Sequence, residues 1–310
     1  MEVAEALKLL IKLIEKGEAA YHPHYKRTVD RAKEYTALIT GEGLDSMLRK
    51  HATRESEELF EQRKKLTEHI TVSVCKNLMD VLFKVPRSNA LKRVIAYEEA
   101  DTQNNKLKEL NRILGGFYGE NDLDKYFSTR FIQLMCIDSD AFVVIDFKSF
   151  DFERERAKPY PFEVFSENAI SYKYENEVLQ YLAVKTKNTF VVPGDAHTPP
   201  QTKSGERFTA YLKNQSIVFE EISEQDPAIV DVLFNDELLI VGTAATGQFI
   251  KIGERYFKIL IPAPHNAGRV PAFKVGYVPD LAIKTGGYAL NPFWAAIPYL
   301  KKSLKVNSEL

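Results

Sequence analysis

The chain has few of the residues that mark disulfide-stabilised, zinc-binding or membrane-spanning proteins. Only two of its 310 residues are cysteine, Cys75 and Cys136, and both lie in apolar runs. Two isolated cysteines exclude a disulfide framework and a zinc site built on paired thiols. We expect both thiols to be buried and reduced. No uninterrupted apolar stretch of about 18 residues occurs, so no transmembrane helix is predicted.

An excess of charge of either sign is also missing. The 42 lysines and arginines are balanced by 43 aspartates and glutamates, which is unlike a protein that grips nucleic acid phosphates over its whole surface. Local basic groups at 82–94 and 301–305 are typical of solvated helix ends, although either could contact a phosphate or an acidic partner. Glu2 and Glu5 occupy the positions where a signal peptide is basic, so we expect the chain to remain in the compartment in which it is made.

Motifs for cofactor or metal binding are sparse. Residues 242–248, GTAATGQ, have the glycine spacing of a phosphate-binding loop, but they lack its Lys-Ser/Thr pair and precede a predicted strand. We interpret them as a β-turn. The imidazoles of His22 and His24 have no third ligand nearby in the sequence, so we expect structural roles for them and predict no metal site.

Three aspartates near a predicted helix-to-strand turn are the candidates for acid–base or metal chemistry. Asp138 and Asp140 flank the turn, and Asp146 follows in the predicted strand. Grouped carboxylates can hold magnesium. Aspartate is also favoured at such turns because its side chain bonds to the backbone, and this structural role is the interpretation we favour.

Helical periodicity dominates the first part of the chain. Helices are predicted at residues 2–16, 23–39, 54–83, 103–114 and 122–136. The third is the most informative, because it contains neither Gly nor Pro and its apolar residues recur every fourth position: Leu66, Ile70, Val74, Leu78 and Leu82. A helix of this length extends about 45 Å, which suits a brace within a large assembly.

From Ala141 to residue 278 the pattern changes to short β-branched runs with a period of two, which predicts a mostly antiparallel β region. Hairpins are predicted in YKYENEVLQY and IKIGERYF, and a mobile loop at 192–206. Beyond Pro279 the sequence predicts a turn and a helix starting at Asn291, and we expect that helix to continue in a longer product.

This order of elements predicts an α+β fold with three consecutive regions. The first is helical, at residues 1–139. The second is rich in antiparallel strands, at residues 140–280. The third, at residues 281–310, holds a turn and the start of a further helix.

Several segments, taken in order, resemble the opening half of the portal proteins of tailed bacteriophages. The run ITGEGLDSMLRKHATRESEELFEQRKKLTEHITVSV, followed by FKVPRSN, resembles a long helix that leads to a Val-Pro-Arg turn. IDSDAFVVIDF is similar to the portal segment that opens the first strand, although Ser139 and Asp140 replace Pro and Asn. HNAGRVPAFKVGY resembles the portal segment G-x-I/V-P-A-x-x-V-G-Y. NPFWAAIPYLKKSLKVNSEL resembles the start of the helix that follows that segment, where Asn-Ser-Glu opens the path into the channel.

The resemblance implies a structural protein without catalysis or cofactor. Portal proteins form a ring-shaped homo-oligomer, usually a dodecamer, at one capsid vertex, and double-stranded DNA passes through the ring during packaging and ejection. The implied partners are the large terminase subunit, head-completion proteins and capsid proteins, with no membrane partner. The implied location is the virion, and the host cytoplasm during assembly. The helices and the β region would form the wing, and the stem would follow Leu310.

The resemblance also implies structural or interface roles for the residues that carry the motifs. These are Pro86, Arg87, Ala141, Phe142, Gly268, Pro271, Gly276, Tyr277, Trp294, Asn307, Ser308 and Glu309. A ring needs large side surfaces rather than a pocket. A near-neutral chain also suits a channel through which DNA slides, because many phosphate contacts raise affinity steeply.

Two other classes of function are alternatives. One is a metal-dependent nuclease or nucleotidyl transferase that uses Asp138, Asp140 and Asp146. The other is an adaptor whose β region binds a peptide in a single apolar groove. The first predicts metal-dependent activity that Asp140→Ala abolishes, and the second predicts no self-association.

Overall fold

The computed structural model describes residues 1–44, 48, 50, 55–84, 123–151, 156–176, 178–192, 201–223, 248–262, 264–265, 267–276, 278–279, 289–290, 292 and 295–302. Within these ranges helices come first, strands follow, and a short helix forms at 297–302. This order confirms the predicted α+β fold. The predicted helix at 103–114 and the glycine-spaced segment 242–247 lie outside the described residues.

The predicted helices that fall on described residues all form. They are α1 (Val3–Lys16), α2 (Tyr25–Thr40), α3 (Glu57–Lys84), α4 (Leu123–Tyr126) and α5 (Ile132–Ile137). A π-helical turn, Phe127–Phe131, joins α4 to α5. At the start of α1 the backbone amide of Glu2 donates a hydrogen bond of 3.3 Å to Glu5, which satisfies one unpaired helix-end amide. Gly17, at φ 54°, ends α1 as predicted.

The described strands form three antiparallel sheets. The strands are β1 (Phe142–Asp151), β2 (Arg156–Val164), β3 (Ala169–Glu175), β4 (Val178–Val192), β5 (Gln201–Tyr211), β6 (Ser216–Ile222), β7 (Gln248–Ile252), β8 (Arg255–Leu260), β9 (Ala272–Lys274), β10 (Val278–Pro279) and β11 (Ala289–Leu290). The sheet orders are β2-β1-β9, β10-β11 and β3-β4-β5-β6-β8-β7.

The chain divides into two compact units, each made of two separate stretches. Unit 1 comprises Met1–Lys26 and Ser166–Ala272, and unit 2 comprises Arg27–Phe165 and Phe273–Leu310. The three predicted regions, in contrast, are consecutive in the sequence. Each unit therefore combines residues from the helical part of the chain with residues from the β-rich part.

Unit 1 is a six-stranded antiparallel sheet with α1 packed on one face. The buried side of α1 joins inward-facing strand residues in one core: Ala6, Leu10, Leu13, Ile14, Ile170, Ala183, Phe208, Ala210, Leu212, Ile217, Phe219, Ile250, Ile252, Phe257 and Ile259. The helical spacing of the α1 residues and the alternation along the strands explain this burial. Both predicted hairpins form, β3 with β4 and β7 with β8.

Unit 2 has a helical core and a small sheet. The helical core is formed by Tyr35, Leu38, Ile39, Leu44, Leu48, Cys75, Ile132, Cys136 and Ile297. A second cluster lies where α5 meets the sheet: Tyr126, Leu134, Ala141, Val143 and Val275. Strand β2 contains Pro159 and Pro161 and lies at the edge of its sheet, where missing amide donors are tolerated.

The structure corrects the predicted loop at 192–206. Val192 ends β4, and residues 201–206 belong to β5, which pairs with β4 from Leu182↔Tyr211 to Val192↔Gln201. Two predicted strands, VLQYLAVKT and TFVVP, are also one continuous strand of 15 residues. The Pro- and Gly-rich part of this segment therefore forms only the connection between β4 and β5. The polar residues 201–206 belong to β5, and β5 accommodates them because it pairs with β4 along its whole length.

Helix α3 has 28 residues, so it extends about 42 Å. Its apolar residues, spaced every four positions, do not share one environment. Leu66, Ile70 and Val74 are exposed, whereas Leu78 packs against the helical core. Four residues turn an α-helix by about 400°, so a series with this spacing rotates by about 40° at each step. The series therefore begins on the solvent side and reaches the core only towards its end.

Candidate functional site

The turn between α5 and β1 is built by two aspartates. The amide of Asp138 donates to the carbonyl of Leu134 at 2.8 Å and closes α5. The side-chain Oδ1 of Asp138 accepts the amide of Asp140 at 3.3 Å, and the carbonyl of Asp138 accepts the amide of Ala141 at 3.1 Å. These hydrogen bonds confirm the structural role predicted for aspartate at this turn.

Two basic side chains meet the carboxylate of Asp140. Lys274 Nζ, on β9, lies 2.9 Å from Asp140 Oδ1, and Arg31 Nη1, on α2, lies 3.6 Å from Asp140 Oδ2. The side chains of Asp140 and Lys274 are only 2% and 7% exposed. Asp138 is buried beside them. We call Arg31, Asp138, Asp140 and Lys274 the Asp140 ion cluster.

The surroundings of Lys274 oppose its positive charge. Burial lowers the pKa of the Lys274 ammonium, and the carboxylates of Asp140 and Asp138 counter this effect only in part. The ammonium also lies 5.7 Å from the ring centroid of Phe142, a separation at which the face of an aromatic ring attracts a cation. Removing one of the carboxylates would therefore leave a buried charge with little compensation.

The ion cluster holds three parts of unit 2 together. Arg31 belongs to α2, Asp138 and Asp140 to the turn before β1, and Lys274 to β9. Next to the cluster, the amide of Val275 donates to the carbonyl of Ala141 at 2.8 Å. Charge pairing and backbone pairing thus act at the same place, which fixes how β9 meets the start of β1.

The residues singled out by the portal resemblance have different surroundings. Ala141 and Phe142 are fully buried beside the ion cluster. Gly268 lies in an exposed bend at φ 69°, Pro271 is half-buried, and Gly276 is exposed. The others lie outside the described residues: Pro86, Arg87, Tyr277, Trp294, Asn307, Ser308 and Glu309.

The arrangement of Asp138 and Asp140 is that of a neutralised ion cluster. Two carboxylates face two basic groups. Asp146 lies further along β1, where its backbone is opposite Tyr160. Within the described ranges, no group of three or more His, Cys, Asp or Glu residues is arranged to hold a metal ion. The metal-dependent alternative has no support from these contacts and stays a prediction.

The two candidate histidines take part in aromatic and backbone contacts in unit 1. The ring of His22 stacks on Tyr172, with centroids 4.5 Å apart and planes 1° from parallel. The amide of His22 donates to the carbonyl of Ile170 at 2.8 Å, and His22 Nδ1 lies 3.3 Å from the amide of His24. These contacts attach the segment after α1 to strand β3.

A second polar cluster lies on the sheet of unit 1. Glu206 pairs with Lys185 at 2.5 Å and with Arg255 at 2.7 Å, and its amide donates to Glu221 at 2.8 Å. Burial alone would raise the pKa of Glu206, but the hydrogen bonds from Lys185 and Arg255 outweigh it and lower the pKa. Because these groups are partly exposed, solvent screens the ion pairs and their contribution to stability is small.

Sequence reasoning missed Arg31 and Lys274, which complete the ion cluster. Arg31 belongs to a polar helix with many charged residues, and nothing in its spacing distinguishes it. Lys274 lies within PAFKVGY, where the portal resemblance singles out Pro271, Gly276 and Tyr277 but not Lys274. The signal that could have indicated such partners is the apolar run AFVVI directly after Asp140, because a carboxylate next to a buried strand requires a basic partner.

The structure describes only some residues of the two basic groups that the sequence shows at 82–94 and 301–305. Lys84 ends α3 and is exposed, as is Lys302. Lys301 forms an ion pair with Glu34 of α2. Both lysines in the final helix therefore lie at a solvated surface, in agreement with the structural interpretation of these charges. The remaining basic residues of 82–94 lie outside the described ranges.

No protein-family model matches the chain, and no curated protein matches it. In the described part of the chain, no helix is both long enough and apolar enough to cross a membrane.

Proposed function

We propose that this chain is the wing-containing N-terminal portion of a tailed-bacteriophage portal protein. In this role it is a structural subunit of a ring at one capsid vertex, and double-stranded DNA passes through that ring during packaging and ejection. Its partners are further copies of itself, the large terminase subunit, head-completion proteins and capsid proteins. The chain works in the virion, and in the host cytoplasm while the capsid assembles.

One observation carries the proposal: two portal-like segments far apart in the sequence meet in unit 2. IDSDAFVVIDF provides Asp140 and Ala141, and HNAGRVPAFKVGY provides Lys274 and Val275. A backbone hydrogen bond joins Ala141 to Val275, which both belong to the portal-like patterns. Beside it an ion pair joins Lys274 to Asp140, a position at which this sequence departs from the portal pattern. Segments that resemble one family in order, and that also lock together, are expected when both preserve one structural joint.

The chemistry of the joint agrees with a structural subunit. The carboxylate of Asp140 is buried and faces Lys274 and Arg31, so it is placed to hold elements together. A general base or metal ligand needs an accessible carboxylate that a substrate or ion can approach. The 28-residue helix α3 provides a long rigid element in the same unit, which suits a subunit that must transmit load within a ring.

The assembly state of the protein expressed from its complete natural reading frame tests this proposal. Native mass spectrometry should give a large complex whose mass is a whole multiple of the subunit mass. Electron micrographs of the same sample should show rings with a central channel. Phage particles should contain the protein at far lower copy number than the major capsid protein, as one ring per particle requires.

Two results would contradict the proposal. The first is a protein that remains monomeric at every concentration and salt condition and is absent from purified virions. The second is magnesium- or manganese-dependent cleavage of DNA by the purified protein that Asp140→Ala abolishes, while a matched Glu163→Gln variant retains it. That second result would establish the nuclease alternative.

A further inference from the structure

We draw no further inference here: the strongest candidate, the exposed apolar face of helix α3 formed by Leu59, Leu66, Ile70, Val74 and Val81, carries nothing because nothing in the described part of the structure shows what covers it.

Discussion

Lys274 and Asp140 form an ion pair of 2.9 Å between Nζ and Oδ1 in a part of unit 2 that solvent hardly reaches. Burial lowers the pKa of Lys274, because the loss of water disfavours its positive charge. A buried pair of this kind contributes little net stability compared with apolar residues, but breaking it costs much more, because the remaining buried charge loses its nearest partner.

Asp140→Asn should destabilise the protein by about 3 kcal/mol, because Lys274 and Arg31 keep their buried charges and lose the carboxylate. Urea unfolding followed by circular dichroism measures the change. Adding Lys274→Met to Asp140→Asn should recover part of the loss, since it removes one buried charge. Glu163→Gln is the control: it removes the partner of Arg130, whose side chain is 48% exposed, and should cost less than about 1 kcal/mol. Equal effects of Asp140→Asn and Glu163→Gln would contradict the importance of the ion cluster.

Magnesium and manganese should leave the thermal unfolding temperature of the protein unchanged. Lys274 and Arg31 already neutralise Asp140, and a divalent ion would have to displace them. Differential scanning fluorimetry with and without millimolar metal makes the measurement, with calcium as a control for general ionic effects. A rise in unfolding temperature that is specific to magnesium or manganese, and is lost in Asp140→Ala, would favour the metal-dependent alternative instead.

The predicted fold agrees with the structure where short-range patterns decide it. The helical spacing of Leu10 and Ile14 and the stop at Gly17 place α1 correctly, because these signals act within a few residues. The hairpin between β7 and β8 is predicted correctly as well, because Gly253 is a turn residue that directly joins two short apolar runs. The division into two units has no local signal, since it depends on contacts between residues distant in the sequence.

The ion cluster shows the same limit at the scale of a site. Asp138 and Asp140 were recognisable because aspartate has a known role in turns. Their partners, Arg31 and Lys274, lie on other elements, and only the folded chain brings them together. For α3, the spacing of Leu66, Ile70 and Val74 identifies a helix, but it does not show which side faces the core, because exposed and buried positions form one rotating series.

Gly253→Ala should destabilise the β7–β8 hairpin. Ile252 pairs directly with Arg255, so the connection has two residues, and Gly253 adopts φ 63°. An L-residue at this position is strained by about 1–2 kcal/mol. Chemical unfolding should show this loss, whereas Glu254→Ala, at the next position of the same turn, should be nearly neutral. The turn geometry would be contradicted by equal effects of the two substitutions.

Alkaline pH should destabilise the protein through its buried thiols. Burial raises the pKa of the Cys136 thiol to about 12 from an ordinary value of 9.0, and it raises that of Cys75 to about 11. A raised folded-state pKa gives a contribution that is complete below the unfolded pKa and is lost as pH rises towards the folded pKa. Between pH 8 and pH 10, Cys136 alone should therefore reduce the free energy of unfolding by roughly 1 kcal/mol.

Urea unfolding at several pH values across this range measures how steeply the free energy of unfolding falls with pH. Cys136→Ala should be less stable at every pH because of the cavity it leaves, but its stability should fall less steeply, and a slope equal to that of wild type would contradict the burial of this thiol.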